Sequence, residues 1–416
     1  MSHKTKKNKS NKFNKIEKLN KTKKQKISKT GRGLPEINKY IILPNTTPNA
    51  INEISQQISL EIENKNDTPD SFIVKSYSPS VNQELVSLKS LTRETINDCN
   101  TEAAFLLQEP LKIGIRNKIK DKSEKICYPY YEPEAIHFLL NNLMANKHVN
   151  PEKIITPVQA ESNCWFNTMF VSLFISDKGR KFFHFFRQLM IEGKQINGKL
   201  VPDKLKNGFA LLNYAIEASL TGNKNAYTID TNAIIKELYG TIPNEYKKQL
   251  PYFTATKEAG NPIRYYGSLI YYLNNKSLDL LFVSDVNSNW KQMITEKMKQ
   301  KQMNNPHLII LELFDDKSNK VVNKKTQFTI DDKKYVLDSC IIRNTKRHHF
   351  SSLLTCESVE MAYDGMSFHR LVKMDWKKNI NKNYVWRFEG STDGYGKQLE
   401  WNFLNGYQML IYYRAK

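Results

Sequence analysis

Long apolar runs are missing from this chain of 416 residues: none approaches the length that spans a bilayer, and the start, Met1-Ser-His-Lys-Thr-Lys-Lys7, lacks the apolar core of a secretory signal. These absences argue against a membrane-spanning protein, and a soluble one inside the cell is expected, cytoplasmic or nuclear, or carried in a virion if the source is viral. Regular cysteine spacing is missing too. The five cysteines, at 99, 127, 164, 340 and 356, are odd in number and form no framework, which excludes a secreted disulfide scaffold and favours a reducing compartment where a thiol stays free. There is no Cys-x-x-Cys pair, and His3, His137, His148, His307 and His369 have no companion at metal spacing, so neither a metal nor a cofactor is expected. No internal repeat is present.

Acidic residues are in deficit, and the deficit is localised. The formal charge is +21, and residues 1–33 hold twelve Lys and one Arg against one Glu, so this segment alone carries +12. With almost no apolar content it reads as a disordered basic tail, either simply solvated or making non-specific contact with nucleic acid. Residues 34–100 mix Pro, Ser, Asn and Thr with short apolar stretches and read as a loosely ordered N-terminal region. Frequent Lys, Asn and Ile are compatible with an AT-rich genome, as in a large DNA virus or an AT-rich microbe.

What is present begins with Gln159-Ala-Glu-Ser-Asn-Cys-Trp-Phe-Asn-Thr168. Trp165, Phe166, Met169, Phe170, Leu173 and Phe174 recur at helical spacing, so one face of a helix over 164–175 would be buried. Thr156-Pro157 breaks any earlier helix, and Ser162 and Asn163 are good capping residues, which puts Cys164 in the first turn. The unpaired N–H groups there favour a thiolate. Gln159 could offer its side-chain N–H₂ to an oxyanion, with the Cys164 N–H as second donor. An isolated cysteine in an apolar helix is more often inert filler, so the thiol needs a base and an orienting group from elsewhere.

One region supplies both. Residues 335–343 read as a strand, Asn344-Thr-Lys-Arg347 as a turn and His349–Cys356 as a returning strand, and Met361-Ala-Tyr-Asp-Gly365 sets Asp364 beside a glycine turn. The interval from His349 to Asp364 lets one strand run out and the next return beside it, bringing carboxylate to imidazole. His348 competes with His349, since the two would face opposite sides of a strand; Phe350 favours His349. Asp375 is a reserve for the carboxylate, and His184, in an aromatic helix, reads as a packed or surface residue.

The order of these elements resembles the ubiquitin-specific proteases, a branch of the papain-like peptidases. The resemblance rests on Gln159–Thr168, His349-Phe350, Tyr363-Asp364-Gly365 and the closing strand Asn405-Gly-Tyr-Gln-Met-Leu-Ile-Tyr-Tyr-Arg414, and it covers about residues 150–416. It implies Cys164 as nucleophile, His349 as base, Asp364 as orienting residue and Gln159 as oxyanion donor. The family's usual Asn is Gln159 here, and its paired zinc cysteines are lacking.

An α+β catalytic domain over 101–416 is therefore expected, with a helical lobe at about 101–300 and a β lobe at about 301–416, papain-like in arrangement. Helices are predicted from Thr101, over Pro133–Ala145, and at 164–175, 178–194, 203–220 and 230–239. Strands of an antiparallel sheet are predicted at 308–314, 326–330, 334–343, 349–356, 368–373, 383–388 and 406–413. Ubiquitin or a ubiquitin-like protein is the implied partner, with Trp165, Tyr363 and Tyr384 as candidate walls of a channel and Glu357 and Glu360 as a local acidic patch for its basic tail. Two alternatives stand beside an active isopeptidase: a catalytically silent ubiquitin-binding relative, and a basic nucleic-acid-associated structural protein with Cys164 in its core.

Overall fold

Apolar and aromatic residues crowd the strands from residue 280 onward, and there the chain folds into an eight-stranded sheet that is covered on both faces. The computed structural model describes residues 99–415 apart from 120–121, 146–148, 195–197, 274–278, 315–322 and 347–348. The basic segment 1–33, with the nucleic-acid contact proposed for it, lies outside the described residues, as do 34–98 and His348.

In chain order, α1 (Glu102–Phe105) leads into a hairpin of β1 (Lys112–Ile119) and β2 (Lys122–Pro129), then α2 (Pro133–Ala145). The helix from Thr101 is thus a single short turn, and the segment after it is extended. Ile113 is buried and Ile115 packs against the core, the two-residue period of a strand. Next come α3 (Cys164–Phe170), α4 (Asp177–Phe182), α5 (His184–Glu192), α6 (Asp203–Thr221), α7 (Thr231–Thr241), α8 (Asn244–Gln249) and α9 (Pro262–Tyr272). α3 passes into a π turn, Val171–Ile175, where Ser176 N donates to Val171 O at 3.1 Å. The helix predicted over 178–194 is two helices broken at Phe183.

The remainder is β3 (Leu280–Val283), α10 (Trp290–Lys301), β4 (Leu308–Leu313), β5 (Gln327–Ile330), β6 (Lys333–Arg343), β7 (Phe350–Cys356), β8 (Val359–Tyr363), β9 (Leu371–Lys373), α11 (Trp376–Asn379), β10 (Val385–Trp386), β11 (Trp401–Asn402) and β12 (Gln408–Ala415). The sheet order is β3-β4-β12-β6-β7-β8-β9, with β5 sharing the edge of β6 that β7 uses farther along. Pairing is antiparallel except that β3 lies parallel to β4, a strand the sequence reading did not place.

Alternation along the strands sends side chains into two cores. Leu308 and Ile310 of β4 and Met409, Ile411 and Tyr413 of β12 face the helices, while Ile309, Leu311, Leu410 and Tyr412 face α10 and the segment from Trp376 to Phe403. A strand buried on both faces reads as a continuous apolar run, as Leu308–Leu313 does. Trp376 donates its indole N–H to Leu354 O at 3.0 Å, fixing the C-terminal segment to the sheet.

Two expectations are corrected. Cys99 and Cys127 form a disulfide, so the chain is not wholly free of cross-links; the pairing depends on the hairpin returning β2 beside the start of the described chain, which spacing alone does not reveal. Glu357 and Glu360 do not form an acidic patch near His349. Glu357 sits in the β7–β8 turn, one strand length or roughly 20 Å from His349, where its carboxylate accepts from Arg180 at 2.6 Å and from Val149 N at 3.1 Å. The Glu360 carboxylate accepts from Lys377 N at 3.0 Å.

Arg180 also pairs with Asp177 at 3.2 Å and donates to Ile175 O at 2.7 Å, all of it buried, so one guanidinium ties α4, the π turn and the β7–β8 turn together. Removing one member of a buried ion cluster leaves the others uncompensated. Arg180→Leu should therefore destabilise the fold by about 3–5 kcal/mol, read from denaturant unfolding; a loss near zero would show that this cluster does not hold the β7–β8 turn.

Candidate functional site

α3 begins at Cys164, and its start is fixed by a buried amide network. Asn163 Oδ1 accepts from Ala160 N at 3.1 Å, Asn163 Nδ2 donates to Thr231 Oγ1 at 2.9 Å, and Thr231 Oγ1 donates to Asn167 Oδ1 at 2.6 Å. Asn232 on α7 adds a bond from Nδ2 to Ala160 O at 2.8 Å. The expected cap is therefore Asn163, but its side chain closes the preceding turn and reaches α7 instead of capping α3. Cys164 is half-buried, whereas the other two free thiols among the described residues, Cys340 and Cys356, are wholly buried. Burial pushes the Cys340 thiol up to about 12 and the Cys356 thiol up as well, so neither is poised to react near neutral pH.

The segment before the cysteine is sewn to the turn that holds Asp364. Arg370 Nε donates to Thr156 O at 3.1 Å, the Tyr363 hydroxyl to Pro157 O at 2.8 Å, and Gln159 N to Gly365 O at 2.9 Å. A Cβ on Gly365 would lie 3.1 Å from both Gln159 N and Gln159 Cβ, and 2.9 Å from the Tyr363 hydroxyl, so close approach of the two segments requires glycine there.

His349 opens β7. Its N donates to Asn344 Oδ1 and its O accepts from Asn344 N, both at 2.8 Å, so one buried asparagine clamps the backbone of the imidazole. The ring is buried beside Trp401, at 5.8 Å between centroids. Its Nε2 meets Asp364 Oδ1 at 2.5 Å, and Asp364 is fully buried. Burial alone would lower the imidazole; the Asp364 charge and hydrogen bond, joined by the Cys164 thiol, outweigh it and push His349 up to about 10. With Nε2 on the carboxylate, Nδ1 is the ring nitrogen left for the thiol.

The structure thus brings Cys164, His349 and Asp364 together. Gln159 lies beside them through its backbone, but its side-chain Nε2 donates to Glu161 O at 3.0 Å within its own turn. Asp375 precedes α11 and is not at the imidazole. His184 is buried in α5. Trp165 and Tyr363 are not channel walls: both are fully buried core residues, Trp165 against Phe166 and Tyr265, and Tyr363 on Pro157. Tyr384 is 39% exposed and stacks on Trp386. Residues that the sequence reading missed are Asn344, Arg370, Ser391 and Trp401. Of these only Asn344 carried a local signal, as the turn residue after β6.

No protein-family model matches the chain, and no curated protein matches it. Among solved structures it is similar to the SAGA DUB module of Ubp8, Sgf11, Sus1 and Sgf73 bound to monoubiquitin, at 9% identity and a TM-score of 0.39, covering 88% of this chain and 96% of that one. It is also similar to an essential yeast splicing factor, at 11% identity and a TM-score of 0.31, covering 64% of this chain and 70% of that one.

The ring of Trp165, next to the cysteine, lies flat against Gly260, where an added Cβ would come within 2.4 Å of the indole. Gly260→Ala should displace Trp165, lowering stability by about 1–3 kcal/mol as overpacking does and changing the near-ultraviolet circular dichroism. An unchanged spectrum and unfolding midpoint would show that the contact does not set the position of α3.

Proposed function

We propose that this chain is a papain-like cysteine peptidase that acts as a deubiquitinase-like isopeptidase, cleaving the peptide or isopeptide bond at the C-terminus of ubiquitin or a ubiquitin-like protein. What supports it is a buried imidazole set on a buried carboxylate, His349 Nε2 to Asp364 Oδ1 at 2.5 Å, with the partly exposed Cys164 thiol near enough to act on the ring. Helices would form the lobe bearing the nucleophile and the sheet the lobe bearing the base, with the cleft at their junction.

In this reading His349 takes the Cys164 proton, and Asp364 balances the imidazolium that forms. The thiolate attacks the scissile carbonyl, the oxyanion is met by the Cys164 N–H at the start of α3 and by an N–H of Gln159, the amine leaves with the proton from His349, and water releases the acyl-enzyme. Because Gln159 Nε2 already serves Glu161 O, one of its two amide hydrogens is committed, and the second would face the oxyanion. That bond is also what favours the second reading, a silent relative that binds a ubiquitin-like partner without cutting it. The structural-protein reading places Cys164 in the core, and its partial exposure beside His349 speaks against it.

A ubiquitin bearing a C-terminal electrophile, used beside a general thiol alkylator with the labelled peptide mapped, separates these readings. Both reagents should modify Cys164, and neither should do so in Cys164→Ser. Alkylation without the ubiquitin adduct would keep a peptidase and remove ubiquitin as its substrate; resistance to both would remove the enzyme.

The pair also makes a linkage statement. An imidazole raised from about 6.5 to about 10 contributes stability that is fully present below pH 6.5 and is lost as pH rises toward 10. The stability gap between the wild type and Asp364→Asn should therefore be widest below about pH 6.5 and narrow up to about pH 10, measured by urea unfolding across that range. A gap that is constant with pH would mean that the carboxylate does not hold the ring in its charged form.

A further inference from the structure

The Asp364 carboxylate has two oxygens buried away from water, and they have different partners. Oδ1 takes the His349 ring at 2.5 Å and Met366 N at 3.1 Å. Oδ2 takes the hydroxyl of Ser391, which is the donor it receives among the described residues. Ser391 is itself fully buried and reaches the site from the segment between β10 and β11, away from the β7–β8 pair that the His349 and Asp364 positions flank.

That segment is fastened by bonds that do not involve the hydroxyl. Ser391 N donates to Phe388 O at 3.1 Å, Leu399 N donates to Ser391 O at 2.9 Å, and Gln398 Nε2 donates to Phe388 O at 2.7 Å and to Ser391 O at 2.9 Å. On the other side, Phe368 N donates to Glu389 O at 3.0 Å, and the Phe368 ring lies against Gly390, whose φ of +82° suits glycine. The backbone at 391 is therefore set before its side chain is considered. A hydroxyl carried on a fixed backbone has little freedom, and it can hold the plane of a carboxylate that a rotation about χ2 would otherwise release.

We propose that Ser391 is a positioning residue: its hydroxyl pins Oδ2 of Asp364, so that Oδ1 stays on Nε2 of His349 and Nδ1 stays turned toward the Cys164 thiol. This rests on the peptidase reading for its catalytic meaning, but the geometry it claims is a property of the Ser391–Asp364–His349 chain alone. The titratable and charged groups that act on that chain are Cys164 on the α3 side and Tyr363 and Arg370 next to Asp364; Ser391 and Trp401, from the β10–β11 segment, bring no charge.

The test compares Ser391→Ala, which removes the hydroxyl, with Ser391→Thr, which keeps it, in the full chain. Cys164 alkylation by iodoacetamide, mapped by peptide, is followed from pH 5 to 11 together with an NMR titration of the His349 ring. Ser391→Ala should slow alkylation at neutral pH by about tenfold, the loss of one charge-assisted hydrogen bond. It should also move deprotonation of the ring to lower pH, while Ser391→Thr follows the wild type in both. In an Asp364→Asn background Ser391→Ala should add almost nothing, because the hydroxyl acts through the carboxylate.

An Ala variant with the wild-type ring titration overturns the proposal, as does an effect that adds in full to that of Asp364→Asn. Equal slowing by Ala and Thr at every pH would mark a packing role and overturn it too. A wild-type Cys164 that resists alkylation would sink the peptidase reading instead, and the ring titration, which needs no reactive thiol, would still decide the case of Ser391.

Discussion

Three hydrogen bonds hold the candidate site in one piece: those from Arg370, the Tyr363 hydroxyl and Gln159 N that join residues 156–159 to 363–370. Each ends on a backbone group, so the register between the two segments does not depend on a flexible side-chain pair on both sides. Each contributes only about 1 kcal/mol to folding, but their geometric effect is larger than their energy. They set the distance between the thiol at the start of α3 and the carboxylate just past β8. Gly365 belongs to the same constraint, since a side chain at that position would push the segments apart.

The rest of the fold stiffens what the seam positions. At one end of β7, Asn344 clamps the backbone of His349; at the other, the Arg180 cluster holds the β7–β8 turn against α4. A strand held at both ends and paired along both edges leaves little room for the imidazole to drift. The second core, built on Trp376, Trp386, Trp401 and Phe403, packs the C-terminal segment onto the far face of the sheet. Ser391 and Trp401 arrive at the site from this layer, so packing on the side away from the helices reaches the imidazole directly.

The parts of this arrangement that were legible in the sequence are those written in local pattern. The apolar period after Cys164, the turn before His349 and the return to Asp364 each lie within a dozen or so residues, and such intervals translate into helix and strand with few alternatives. Trp165 and Tyr363 misled for a related reason: an aromatic beside a catalytic-looking residue reads equally well as wall or as core, and only the packed neighbours decide. Ser391 and Arg370 carry no local signal, because a serine in a loop and an arginine before a strand acquire a role only when tertiary contacts choose their partners. The β1–β2 hairpin was missed differently. Its lysines dilute the apolar alternation, and the contact with α2 that buries Ile113 is invisible to a period count. The disulfide that this hairpin makes possible was hidden with it.

A thiol-imidazole site has conflicting needs, and the structure meets them on different faces. An imidazolium loses solvation when buried, so its charge survives only if a carboxylate sits on one ring nitrogen and that carboxylate is itself satisfied. Asp364 meets this condition with donors on both oxygens. A reactive thiol would have the opposite need, since in a sulfur sealed like Cys340 or Cys356 burial holds the proton. Cys164 stays partly exposed because it heads α3, while the apolar residues that anchor the helix follow it at Trp165, Phe166 and Met169. The helix is thus anchored by what comes after the thiol, and the imidazole by the carboxylate and the packing behind the ring.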